Sequence, residues 1–173
     1  MQLVLDPGNE VLLRVKGWGR DQGGIVTFAR EEDPEPAWAP IGAGGRVRLR
    51  GLVAGVPYNV YLCEFVHDGP LPCLLLRGVK AGDAPREVVL SPGKEITGRA
   101  TLPPGETRFN VAVLVGRTVL IDGGPSEDGT FRIGGVPEGR WTVVVYLTGA
   151  DGTYHAATGS ADAGGTVEID ARR

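Results

Sequence analysis

Apolar and polar residues alternate in short runs along this chain, and nearly every run ends at a glycine or a proline. The alternation is plainest at residues 46–52, where Val47 and Leu49 are interleaved with Arg46, Arg48 and Arg50. It recurs at residues 141–147, where Trp141, Val143, Val145 and Leu147 share one face and Val144 and Tyr146 the other. A period of two predicts strands with one face toward a core. Residues 11–16 and 25–29 make an earlier pair, joined by a glycine-rich turn around Trp18. After a turn at 51–57, Tyr58, Val60 and Leu62 form the inward row of a strand, and residues 73–79 return beside it. If Cys63 lies opposite Cys73, then Leu62 faces Leu74 and Val60 faces Leu76, which keeps the apolar rows in register. In the second half, strands are predicted over 95–101, 110–115, 118–121, 130–133, 141–147, 154–160 and 166–170, enough for a two-sheet sandwich. Residues 30–45, REEDPEPAWAPIGAGG, show no period and predict a long exposed loop.

The same pattern occurs twice. The stretch EVVLSPGKE at residues 87–95 echoes QLVLDPGNE at residues 2–10, an offset of 85 residues, and RIGGV at 132–136 echoes RLRGL at 48–52 at an offset of 84. Register held over most of that distance predicts two tandem units. Residues 2–5 then correspond to the closing strand of a unit, so the expectation is an orphan strand, either from a longer array or free to augment a neighbouring edge. The predicted architecture is all-β: two tandem seven-stranded Ig-like or prealbumin-like β-sandwich modules, residues 1–90 and 91–173.

Composition narrows the function classes. With 28 glycines and 13 prolines in 173 residues, long helices have little room. A net charge of −3 without a basic run gives no footprint for nucleic acid. No apolar run approaches the roughly 20 residues that span a bilayer, so membrane insertion is not expected. The opening MQLVLDPG lacks the regions of a signal peptide, and an excised piece of a larger secreted protein fits as well as a cytoplasmic start. Localisation stays open, with the cell surface favoured if a larger secreted parent exists.

The run DGTFRIGGVPEGRWTVVVYLTG, residues 128–149, resembles the signature of carboxypeptidase regulatory-like domains, which are prealbumin-like sandwiches. Asp128, Gly129, Phe131, Val136, Pro137, Gly139, Trp141 and Val143 fill the pattern. The first half is similar but weaker, since residues 45–52 lack the Asp-Gly pair and AGVPYNV at 54–60 stands where PEGRWTV does. The resemblance implies a non-catalytic accessory module, found in tandem on bacterial surface proteins, in a superfamily that also holds starch-binding domains. It implies no peptidase activity. The motif's glycines permit positive φ at turns, and Phe131 and Trp141 are expected between the sheets.

Candidate chemistry is sparse. The two histidines, His67 and His155, have no partner at motif spacing, and no nucleophile elbow, phosphate loop or zinc pair occurs. No catalytic residue, metal site or cofactor is expected. Cys63 and Cys73 could form a cross-strand disulfide or remain two free thiols. Lys16 with Glu64 could be read as parts of an isopeptide crosslink, but the closing strand EVVL has no asparagine, and a solvated lysine is the simpler expectation. The acids of EEDPE and DGGPSEDG lack the alternating spacing of a calcium loop. The arginine row 46, 48 and 50 is most simply a solvated face, paired with the acidic loop. Trp38, between Pro36 and Pro40 and near Asp33 and Glu35, could stack on a sugar or anchor a protein; Trp18 shares that ambiguity. The expected function is a structural or protein-interaction module, with glycan binding through the loop tryptophans or self-association through edge strands as alternatives.

Overall fold

The structure, a computed structural model, describes residues 9–19, 22–33, 35–65, 70–148 and 154–172, and at residues 65, 122 and 124–127 the backbone alone. The described residues are built into strands, with one short 3-10 turn among them at Ala43–Gly45. The expected strand at residues 2–5 and His67 lie outside the described residues. The chain divides into two compact units, Met1–Pro92 and Gly93–Arg173.

In the first unit β1 (Val11–Val15), β4 (Arg46–Leu49) and β7 (Arg86–Val88) form a three-stranded sheet in the order β4-β1-β7. The second sheet runs β3-β2-β5-β6-β8, from β2 (Gly23–Ala29), β3 (Ala37–Pro40), β5 (Tyr58–Phe65), β6 (Pro72–Val79) and the two-residue β8 (Ser91–Pro92). Strand β1 is antiparallel to β4 and parallel to β7. Alternation puts Val11, Leu13, Val15, Val47 and Leu49 against Val26, Phe28, Val60 and Leu62 in one core. Burying each of these side chains contributes about 1.5–3 kcal/mol relative to leaving it in water.

The second unit repeats this plan. Strands β9 (Lys94–Thr101), β12 (Thr130–Val136) and β15 (Thr166–Asp170) form one sheet in the order β12-β9-β15. Strands β10 (Arg108–Val115), β11 (Thr118–Glu127), β13 (Arg140–Thr148) and β14 (Tyr154–Asp162) form the other, in the order β11-β10-β13-β14. As in the first unit, the first strand is central in the three-stranded sheet, antiparallel to the fourth and parallel to the seventh. Phe109 of β10 and Phe131 of β12 meet edge to face across the core, with ring centroids 6.2 Å apart. Trp141, Val143, Val145 and Leu147 are buried and Val144 and Tyr146 are not. The Trp141 indole N–H donates to the Pro137 carbonyl at 2.8 Å, so the buried ring keeps its one polar group satisfied.

Two expected loops are strands. Within residues 30–45, Ala37–Pro40 pairs with β2 as an edge strand. Its pattern is too short and too rich in proline to show a period. DGGPSE, left between the strands expected at 118–121 and 130–133, continues β11 to Glu127, and register shifts at Val111/Ala112 and Val113/Leu114 let it follow β10. Bulges of this kind absorb extra residues, which hides the alternation in the sequence. Only Asp128 and Gly129, both at positive φ, make the turn.

Candidate functional site

The residues singled out in the first unit fall into three environments. Trp18 is half-buried and packs against the core. Its ring passes over Gly24 and its Cβ lies beside Gly45; a Cβ added at Gly24 would stand 2.6 Å from the indole. Gly45 has φ +73° and closes on the Val15 carbonyl, so only glycine fits there. Trp18 is thus a plug seated by two glycines, one from β2 and one from the 3-10 turn.

Asp33 is engaged by its own turn. Its carboxylate accepts from the Arg30 backbone N–H at 2.9 Å and from the Arg30 guanidinium at 2.6 to 3.1 Å. These hydrogen bonds hold the Asp33 pKa below the ordinary carboxylate value and raise that of Arg30. The pair closes the tight turn leaving β2, and Glu32 adds a contact to Arg30 at 3.5 Å. Glu35 is exposed beyond it. Beside this turn lies a cleft of about 380 Å³, bordered by Arg30, Glu32, Tyr58, Asn59, Arg77 and Gly78. The cleft exists because β6 bulges there: Tyr58 faces Val79 while Val60 faces Leu76, and Gly78 takes φ +71°. Sequence reasoning missed it, since the bulge glycine sits inside an apparently regular strand.

Trp38 is different. It is 68% exposed on β3, the outer strand of its sheet, while Ala39 beside it faces the core. Register places Trp38 opposite Thr27, Thr27 opposite Tyr61, and Tyr61 opposite Leu75. Directly opposed residues of antiparallel strands point to the same face. That outer row runs from an exposed indole through buried Thr27 and Tyr61 to half-buried Leu75. Pro40 lies in β3 and Pro36 just before it, and a proline on an edge strand withholds a backbone donor from any incoming strand.

Cys63 and Cys73 face each other on the same outer side as free, buried thiols. Tyr61, two residues along β5, hydrogen-bonds Cys63, and burial drives the Tyr61 pKa strongly upward. The arginine row is outward as expected, but Arg48 meets Glu10 at 3.6 Å rather than the acidic loop. Lys16 meets Glu87 at 3.1 Å, with both side chains exposed. Among the described residues no group of three or more His, Cys, Asp or Glu could hold a metal ion. No described helix is long and apolar enough to cross a membrane.

No protein-family model matches this chain, and no curated protein does. Among solved structures, a candidate adhesin from Bacteroides ovatus is 11% identical, with a TM-score of 0.39 over 95% of this chain and 92% of that one. The Streptococcal ancillary pilin is 14% identical, with a TM-score of 0.33 over 95% of this chain and 62% of that one. A Ca2+-stabilized, ice-binding adhesin of an Antarctic bacterium is 10% identical, with a TM-score of 0.30 over 95% of this chain and 50% of that one. None of these places the chain in a family. Its function is argued below from its own residues.

Proposed function

We propose that this chain is a non-catalytic protein-interaction module of a larger, cell-surface protein, and that it binds its partner through the exposed edge of the five-stranded sheet at Trp38. One observation carries this: the indole is 68% exposed on an edge strand. Exposed tryptophans with a rigid backing are the residues that dominate binding energy in protein interfaces. Pro36 and Pro40 stiffen the strand, which lowers the ordering cost of an encounter. The motif at residues 128–143 and the repeated strand plan support two tandem carboxypeptidase regulatory-like modules, a class of accessory domain.

The test compares the full chain with Trp38→Ala on immobilised surface proteins and, separately, on a glycan array. Saturable protein binding lost in Trp38→Ala, with an unchanged unfolding midpoint, supports the proposal. Glycan binding lost in the same variant would instead favour the sugar-stacking alternative, and binding unaffected by the substitution would overturn both. Self-association has its own supporting feature: β14 is a nine-residue edge strand without proline. If it operates, light scattering should show a mass that rises with concentration and falls when a proline is placed at Thr158.

A further inference from the structure

Cys63 of β5 and Cys73 of β6 are directly opposed. The register is pinned on the core side by Leu62 against Leu74 and Val60 against Leu76, and continues outward with Cys73 opposite Ser91 of β8. Directly opposed residues in antiparallel strands have Cα atoms about 4.5–5.5 Å apart, within the span of roughly 4.4–6.8 Å that a disulfide bridges. Joining the two sulfurs therefore asks for side-chain rotation and not for a new backbone path.

Both thiols are also shut away from solvent, at 6% exposure for Cys63 and 3% for Cys73. Burial raises the Cys63 pKa against a lowering hydrogen bond from Tyr61. At Cys73, burial and then the neighbouring Cys63 push the pKa up to about 12. The nucleophile in disulfide exchange is the thiolate, so folded, reduced protein is a poor substrate for oxidation.

We propose that Cys63 and Cys73 join in a cross-strand disulfide when the chain folds beside a disulfide oxidant of the glutathione class, and that burial then preserves whichever redox state folding installed. In the unfolded chain one cysteine loses its proton and its sulfur attacks the oxidant, breaking that S–S bond and releasing one thiolate, which takes up a proton. The second cysteine, also as thiolate, attacks the mixed disulfide, forms the Cys63–Cys73 bond and releases the second thiol. Two electrons pass from the protein to the oxidant, and one small disulfide becomes two thiols. The crosslink ties β5 to β6, the strand that in turn holds β8 at the end of the first unit. The pair thus records the compartment in which the chain folded, independently of what Trp38 binds.

The experiment refolds the full chain from denaturant in a reduced and oxidised glutathione mixture, or in excess dithiothreitol. Free thiols are then titrated before and after denaturation, and intact masses are measured. The oxidising preparation should have lost two hydrogens, carry no glutathione, expose no thiol on denaturation and unfold at a higher urea concentration. The reduced preparation should show its two thiols only on denaturation, with native reaction far slower than in denaturant because both are buried. A Cys63→Ala, Cys73→Ala double variant should unfold at one midpoint in both buffers. Two titratable thiols in both preparations, glutathione adducts, intermolecular crosslinks, or native oxidation as fast as unfolded oxidation would each overturn the proposal, and none requires the variant to fold.

Discussion

Trp18, among glycines, and Trp38, between prolines, both lie in stretches without strand alternation, yet one is a plug and the other an exposed indole. Replacing them should separate packing from binding. Trp18→Ala is expected to lower stability by about 2–4 kcal/mol, somewhat under a full core truncation because the ring is half-buried, whereas Trp38→Ala should stay within about 0.5 kcal/mol of the parent. Urea unfolding of both variants checks this. What the sequence could convey at this scale follows from range. Trp141 and Phe131 were legible as core because strand alternation and a local motif fix them. Trp18 was not, because its seat depends on Gly24 and Gly45 meeting it from other elements. Titration adds a further expectation. In the reduced protein the Cys73 pKa is raised from 9.0 to about 12, so its contribution is complete below pH 9 and is lost as pH rises from there toward 12. Stability of the reduced form should fall over that window, and Cys73→Ala should flatten the fall. The Arg30–Asp33 turn acts at the other end: the depressed Asp33 pKa contributes above the ordinary value of 3.8 and is lost as pH falls below it.

Elements were legible where one face is buried and the strand is regular. The β5/β6 register was readable from Val60 to Cys63, since any slip would turn Leu62 and Leu74 outward, but not at the bulge beyond Val60. Strand β3 and the far half of β11 were not, because proline and bulges erase the period that identifies a strand. The candidate binding residue was therefore visible as a tryptophan, while its setting on a sheet edge was not. Close approach between elements gives a prediction here. At Gly98 of β9, an added Cβ would run into the Phe131 ring and the Val167 carbonyl. Gly98→Ala should cost about 1–3 kcal/mol through overpacking, measured as a lowered denaturation midpoint. The same change at Gly105, which has open space around it but φ +88°, tests backbone strain alone.

At the scale of the molecule, each unit has its own two sheets and its own apolar interior, with the same strand order around its first strand. Among the described residues, no buried side-chain nitrogen or oxygen lacks a hydrogen-bond partner, and buried polar satisfaction of this kind favours a single well-defined fold. Gly93–Arg173 produced alone should therefore unfold in one cooperative transition, as a domain of that size with an intact core does; a broad, non-cooperative melt would contradict its independence. The central claim, that the exposed edge strand around Trp38 is where this molecule meets its partner, is tested most directly by placing a photo-crosslinking amino acid at Ala37, exposed beside Trp38, and, as a control, at Tyr154, which is 65% exposed in the second unit. Irradiation in the producing cells should give a discrete protein adduct from position 37 and none from position 154. Equal adducts from both positions, or none from either, would contradict the account.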